Sequence, residues 1–594
     1  MRKIARNKMS ELLKTLGEVT ESAFEEAGFD ASLGRITVSN RPDLCEFQCN
    51  GAMAGAKKYH VAPIEIANKV ADVLQKSDKF SSVEAVMPGF INLKLSSEFL
   101  GQYVKELSDD ENLGCDRSEK EGTIIIDYGG ANVAKPLHIG HLRSAIIGES
   151  IKHILNYNGY KTIGDVHLGD WGLQMGLIIM ELKSRQPDLP YFDDTFTGEY
   201  PKEAPFTISE LEEIYPKASA KSKEDEEFKK SAQLATVELQ NGHRGYTAIW
   251  KHIIDVSVTD LKKNYGNLAV EFDLWKGESD AQPYIPDMVQ AMIDSGIAYE
   301  SDGAIVVDIA EETDSKEFPP CIIRKSDGGA NYETSDLATL VEREKLYSPS
   351  GYVYLADKRQ ELHYTQFFRV ARKAGIVPTA DLKFIGFGTM NGKDGKPFKT
   401  RSGGVMRLEY LLDETKQTML EKIKANGTMD ENEADKTAGI VALSALKYGD
   451  LSNQASKDYV FDIERFTSSE GNTGPYLLYT IVRIKSILRK YEETFGKTDC
   501  EIMAPSSDGQ RALMLSLCAW PETARVAAED LAPHKICSYL YDVANSFNRF
   551  YHDTNIMKEE DAKKQQSYIG LLKLARRIME DGISLLGFEA PERM

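Results

Sequence analysis

Two histidines three residues apart, His138 and His141, stand where a long apolar-periodic stretch begins, in the run Ala131-Asn132-Val133-Ala134-Lys135-Pro136-Leu137-His138-Ile139-Gly140-His141. If a helix opens there, both imidazoles lie on one side of its first turn, where unpaired backbone N–H groups and the helix dipole already favour an anion. Gly140 would let a nucleotide approach the backbone closely, and Lys135 would add a cation on a flexible stem. That combination suits phosphate binding and the stabilisation of charge developing on phosphorus. The plain alternative is a helix that carries two core or capping histidines. A second cationic group, Lys393, Lys396, Lys399 and Arg401, lies in the glycine-rich stretch 391–404 with Asp394 as its one carboxylate, which suits a triphosphate or pyrophosphate. Tyr332 and Asp336, four residues apart, share a face if a helix starts at Asn331.

The elements that must position these groups read as follows. Residues 123–126 are a β-branched strand ended by Gly129-Gly130; Pro136 suits a first helical turn; 138–157 is a helix apolar around most of its circumference; and 162–168 is a second strand. Strand, loop, helix and strand make a βαβ unit, whose loop lies at the carboxyl end of a parallel sheet, where such folds bind ligands. A second half of the nucleotide fold is expected from Gly303, with strands at 304–309, 321–324, 353–356 and 384–388, a turn at Gly328-Gly329, and Gln360, Glu361 and His363 in the loop beyond the third of these. Neither Gly-x-Gly-x-x-Gly nor Gly-Lys-Ser/Thr is present at the histidine signature, so a dinucleotide fold and a P-loop are both set aside.

A chain of 594 residues exceeds one core, and two to four domains are expected. Residues 1–112 read as an α+β unit, 113–450 as the nucleotide-binding domain with an insertion at about 186–280, and 451–594 as an all-α bundle. In the insertion Arg244, Lys251, Lys262 and Lys263 could form a basic edge or a solvated face. In the bundle Tyr476, Tyr479, Arg483, Lys485, Arg489, Asn545, Arg549, Phe550 and Tyr551 have the mixture of cations and aromatics that holds phosphates and stacks on bases, with helix packing as the competing reading. The net charge of −20 argues against a nucleic-acid partner only weakly, because binding needs one locally basic face. No apolar run approaches the roughly 20 residues that cross a bilayer, and residues 1–14 are basic without an apolar segment, so neither a membrane span nor a secretory signal is expected. Seven scattered cysteines fit reduced thiols in a cytosol and no zinc site.

The His-Ile-Gly-His stretch after a strand and a glycine turn resembles the nucleotide-binding signature of class I aminoacyl-tRNA synthetases. The string from Asn132 to Ser144, followed by Gly169-Asp170-Trp171-Gly172, is similar to the arginyl members, as are Thr400-Arg401-Ser402-Gly403-Gly404 and the ending Pro591-Glu592-Arg593-Met594. The resemblance implies a Rossmann-like catalytic domain, an amino-terminal domain on the tRNA elbow and an anticodon-binding bundle in which Arg483, Asn545, Arg549 and Tyr551 would touch tRNA. It implies ATP with Mg²⁺, L-arginine and tRNA-Arg as substrates and partners, with an activation step that needs bound tRNA; a cytoplasmic location and a monomer are expected besides. ATP would meet His138, Gly140, His141, Lys396 and Lys399, with Lys135 and Arg401 also catalytic. Asp127 and Asn132 would hold the α-amino and carboxylate end of arginine, and its guanidinium would meet Asp336 and Tyr332, aided by Gln360. The family's usual second signature has a second lysine where this chain has Thr400, and Lys135 is expected to supply the missing charge. The competing readings are another class I specificity, a small-molecule nucleotidyltransferase, and an RNA-binding paralogue without catalysis.

Overall fold

The computed structural model describes residues 11–594 except 42, 327, 397–406, 426–428 and 499, and these form two compact units. One unit comprises residues 119–467 and 585–588, the other 11–118, 468–584 and 589–594 within the described range.

In the first unit the strand Thr123–Asp127 (β1) feeds the helix Ile139–Tyr157 (α1), which returns to the strand Lys161–Asp165 (β2). β1 pairs in parallel with β2 from Thr123 opposite Lys161 to Asp127 opposite Asp165. The helix Tyr332–Tyr347 (α2) leads to the strand Gly351–Asp357 (β3), then the helix Glu361–Lys373 (α3) and the strand Asp381–Phe387 (β4). β3 lies parallel to β1 on one side and to β4 on the other, giving the order β4-β3-β1-β2. The chain thus leaves β1 and β3 in opposite directions across the sheet, which opens a crevice between their carboxyl ends. β3 reads as an unbroken apolar run because helices cover both faces of a parallel sheet; Tyr352, Val353, Tyr354 and Leu355 are all buried.

Three sequence expectations change. The strands at Ala304–Val307 and Cys321–Arg324 do not join the parallel sheet; with Tyr299–Ser301 they form a separate antiparallel sheet. In Cys321–Arg324 side chains alternate buried and exposed, as a one-sided strand requires. Gln360 and His363 are not in a loop: a 3₁₀ turn at Lys358–Gln360 runs straight into α3, where Phe367, Val370 and Ala371 supply the buried stripe. Pro136 lies before the helix rather than in its first turn, because His138 is the N-cap residue.

The segment 585–588 completes this unit. Lys447, buried in the helix Glu431–Leu451, donates to the carbonyls of Gly587 (2.6 Å) and Ala269 (3.1 Å), and Ser150 of α1 donates to that of Leu585 (2.8 Å). Burial pushes the Lys447 ammonium down to about 7.

In the second unit the strands Ile36–Val38, Phe47–Cys49, Phe90–Leu95 and Phe80–Val86 form an antiparallel sheet in that spatial order, with helices at Leu12–Glu26, Gly51–Tyr59, Pro63–Leu74 and Ser97–Asp109. The helical remainder includes Gly474–Phe495 (α4) and Pro533–Asp553 (α5). Arg511 joins these parts by bidentate contact with Glu46 (2.6 and 2.9 Å). No helix among the described residues is long and apolar enough to cross a membrane.

Candidate active site

The histidines cap the first turn of α1, the plain alternative the sequence allowed. His138 Nδ1 accepts from the Gly140 N–H (3.0 Å), His141 Nδ1 accepts from the His138 N–H (3.1 Å), and the two rings lie 3.9 Å apart. Each imidazole therefore satisfies an orphan donor of the first turn, and a neutral ring bonded this way carries its proton on Nε2. Burial, then the neighbouring Lys135, holds His138 below the usual histidine range; burial, then His138, holds His141 at about 3. The pair thus presents neutral N–H donors at physiological pH. Gly140 has a different reason from the one expected: a Cβ there would meet the His138 ring at 2.8 Å, so the glycine makes room for the cap. Lys135 Nζ stands 4.9 Å over the Tyr215 ring.

Backbone pairing gathers the flanking segments here. Residue 132 bridges Gly169, and Val133 N–H donates to the Gly169 carbonyl (3.2 Å), which fixes Asn132 beside the Gly169-Asp170-Trp171-Gly172 string. Arg407 bridges His138, and Leu408 N–H donates to Leu137 O (3.0 Å), so the chain re-enters the described structure at the signature. Lys396 is exposed; Lys399 and Arg401 fall outside the described residues.

Beyond β2 and along α2 stands a cluster of acids. Asp336 shares the α2 face with Tyr332, but Tyr332 is 75% exposed and Gln360 is exposed at its 3₁₀ turn, and no described hydrogen bond joins either to Asp336. Asp336 Oδ2 instead meets His363 Nε2 (2.6 Å), and His363 Nδ1 meets Glu333 Oε1 (3.1 Å). Two members of the cluster escaped the sequence reading. Glu278 is pushed up to about 7 by burial, with Asp336 and Asp170 adding to it and His167 opposing. Its helix start is held by Asp170, which accepts from the Ser279 N–H (3.0 Å) and hydroxyl (2.5 Å). His167, two residues past β2, faces the same acids. Only the quoted Gly-Asp-Trp-Gly string signalled this region; nothing local marks Glu278.

Asp127 is not a free carboxylate. Arg343 of α2, 1% exposed, donates from Nη2 to Asp127 Oδ2 (2.6 Å) and Asp165 Oδ2 (2.7 Å), and from Nη1 to the Tyr354 hydroxyl (3.1 Å). One guanidinium thus ties the carboxyl ends of β1, β2 and β3 together. Arg143 of α1 does the same beyond β4, bonding Asp450 (2.9 Å) and the carbonyls of Gly388, Lys457 (3.1 Å) and Ala455 (3.2 Å).

The Glu333–His363–Asp336 bridge carries a pH dependence. Burial alone would lower His363, but hydrogen bonds to Asp336 and Glu333 outweigh it and raise the imidazole to about 9. A raised histidine stabilises the fold fully below its unfolded value of about 6.5 and ceases to do so as pH climbs through 9. The stability gap between wild type and His363→Gln, measured by urea denaturation, is therefore expected to shrink between pH 6.5 and 9.5; a gap constant over that range would refute the bridge's charge.

In the other unit, the Arg483 guanidinium lies between the rings of Tyr479 (4.6 Å) and Tyr551 (5.4 Å) and donates to Asn548 (3.1 Å), while Asn545 accepts from Tyr476 (2.8 Å). Asn545, Arg549 and Tyr551 are exposed on α5. Lys485, by contrast, is paired with Glu580 (3.2 Å) and Glu592 (2.8 Å), and in the insertion Arg244 caps the carbonyls of residues 196–198, so both are structural cations.

Comparison with known proteins gives the same picture along the whole length. Residues 103–463 match the family described as tRNA synthetases class I (R), catalytic domain; residues 477–594 match the DALR anticodon binding domain, and 10–95 the arginyl tRNA synthetase N terminal domain. The arginine–tRNA ligase of Agathobacter rectalis is 61% identical over 99% of this chain and 100% of its own, and that of Alkaliphilus oremlandii 54% identical over 99% and 100%. In fold, the arginyl-tRNA synthetase of Plasmodium falciparum superposes with TM-score 0.82 at 24% identity, covering 99% of this chain and 100% of that one. The Thermus thermophilus arginyl-tRNA synthetase gives 0.78 at 20% identity over 98% and 100%. With its signature histidines set at the sheet's crevice and all three domain types in place, the chain belongs to the class I arginyl-tRNA synthetases.

Proposed function

We propose a division of labour within the crevice for this arginine–tRNA ligase, carried by one observation: neutral imidazole donors stand at the end of β1, and an acidic cluster stands beyond β2 and along α2. ATP lies over the start of α1, its phosphates met by His138, His141 and the Gly140 backbone, with Lys135, Lys396, Lys399 and Arg401 as the cations. ATP would arrive as its Mg²⁺ complex, the ion supplying neutralisation of phosphate charge. Arginine lies with its guanidinium toward Asp336 and Glu278, with Tyr332 and Gln360 closing on it. Asn132 and the second oxygen of Asp127 take its α-amino and carboxylate end, since Arg343 already occupies the first.

The arginine carboxylate is ionised at neutral pH and needs no base. Its oxygen attacks the α-phosphorus, the α–β phosphoanhydride bond breaks, and pyrophosphate leaves; the arginyl group then passes to the terminal adenosine of tRNA-Arg. Alignment and stabilisation of charge are what the residues supply. Asp336→Asn is expected to raise the KM for arginine at least ten-fold while leaving that for ATP near wild type, the scale of one lost charge-assisted contact. An equal rise in both, measured by tRNA charging, would remove Asp336 from the guanidinium site.

The chain divides as residues 1–112 for contact with the tRNA body, 113–450 for catalysis with the insertion at about 186–280, and 451–594 for the anticodon. The Tyr479–Arg483–Tyr551 stack with Asn545 and Arg549 is the RNA-binding surface, supported by exposed aromatic and cationic groups on adjoining helices. Arg549→Ala and Tyr551→Ala should each weaken tRNA affinity about ten-fold, the cost of a lost stack or phosphate contact, with ATP affinity unchanged; normal tRNA binding in both would return them to packing. Monomeric assembly and a cytosolic location complete the reading, the latter supported by an odd, scattered set of seven cysteines in the sequence.

A further inference from the structure

His167 is the most conspicuous unexplained side chain in the crevice. Its backbone is left-handed, at φ 41°, a conformation that strains any residue with a Cβ. Its side chain is 13% exposed, and although Nδ1 and Nε2 are both shielded from solvent, neither has a hydrogen-bond partner among the described residues. Orphaned buried polar atoms and backbone strain each cost stability, and together they mark a site kept for a purpose other than folding. The surroundings suggest the purpose. His167 Nε2 lies 4.0 Å from Asp336 Oδ1, the oxygen that His363 leaves free, and its ring is felt by Asp127, Asp170 and Glu278.

A separation of 4.0 Å is too long for a hydrogen bond, but it suits a single amino group that donates one hydrogen to each acceptor over about 2.9 Å. Guanidinium presents such groups: planar, with two hydrogens pointing apart and no acceptor of its own. We propose that His167 is a further substrate-binding and specificity-determining residue, whose Nε2 accepts one N–H of the arginine guanidinium while the other N–H of the same amino group goes to Asp336 Oδ1. The inference rests on the assignment of Asp336 to the guanidinium. It explains why these two groups stand close together without a donor from the described residues between them.

The test is the KM for arginine and for ATP in tRNA charging, with the thermal midpoint, for four proteins: wild type, His167→Phe, His167→Gly and Asp336→Asn. Phenylalanine keeps the ring and the backbone strain but removes both orphaned nitrogens, so the midpoint should hold or rise while the arginine KM increases about ten- to hundred-fold, as for a lost hydrogen bond to a charged group. Glycine relieves the strain and leaves a cavity, so its raised arginine KM should fall back when imidazole is added, which a purely structural histidine would not produce. If Asp336→Asn raises the arginine KM while both His167 variants stay within twofold of wild type, His167 is not a substrate ligand. If Asp336→Asn leaves the arginine KM unchanged, it is the location of the guanidinium site that fails.

Discussion

His141→Ala lowers the rate of ATP–pyrophosphate exchange about 10²- to 10³-fold, the cost of removing one preorganised donor from a transition state. The ring is neutral, its Nδ1 already accepts the His138 N–H, and only Nε2–H is left for a ligand. A neutral donor fixed by a backbone contact needs no reorganisation when negative charge spreads over the α-phosphate and the departing pyrophosphate. The same substitution also removes a cap, but capping costs about 1 kcal/mol of stability, so a folded protein with a crippled rate separates the two roles. Lys135→Ala should match it in severity. Lys135 is close enough to the pair to lower both imidazoles, and it is proposed to supply the charge of the lysine that Thr400 replaces. Thr400→Lys in the Lys135→Ala background should recover part of the loss. Exchange rates within threefold of wild type for His141→Ala would place the phosphates elsewhere, and a fully active Lys135→Ala would move the charge to Lys399 or Arg401.

Arg343→Met is expected to destabilise the catalytic unit by about 3–5 kcal/mol, the penalty for stripping a buried ion pair of one partner. The substitution preserves length and apolar volume but abandons Asp127 and Asp165, both inside the unit, and leaves the Tyr354 hydroxyl without its donor. A triple variant that also changes both aspartates to asparagine should regain much of the stability, because the deficit lies in the uncompensated charge rather than in the missing side chain. Urea denaturation at neutral pH decides it: a loss under 1 kcal/mol for Arg343→Met would mean that the carboxylates find other partners or water.

These two cases show what was legible beforehand. The helix start at His138 and His141 is legible because a cap and a helix start fall within a few residues of one another, whereas the reason for Gly140, room for the His138 ring, shows only in the structure. That Asp336 shares a helix face with Tyr332 is legible for the same reason of local spacing, but its contact with His363 is not. Arg343 is not: on its own helix it is a charged residue among others, and its meaning comes from carboxylates more than 170 positions earlier in the chain. Glu278 and His167 share that obscurity. The strand expected over 304–309 ends at Val307, and it and Cys321–Arg324 lie outside the parallel sheet, since a short apolar run does not state whether its neighbour will be parallel or antiparallel. The helix after β3 was hidden because Gln360, Glu361 and His363 are polar, while its buried stripe starts only at Phe367.

The placement of residues 585–588 has a consequence for biosynthesis. Domains emerging from a ribosome tend to fold in order of synthesis, each as a unit. Here the acceptors of Lys447 and Ser150 are made after every other part of the catalytic unit, so a nascent chain holding residues 119–467 still has a buried ammonium with one carbonyl out of two. The unit that performs the chemistry reaches its final packing only once the bundle between has been translated, and a chain cut short before Leu585 leaves the ribosome with the defect built in.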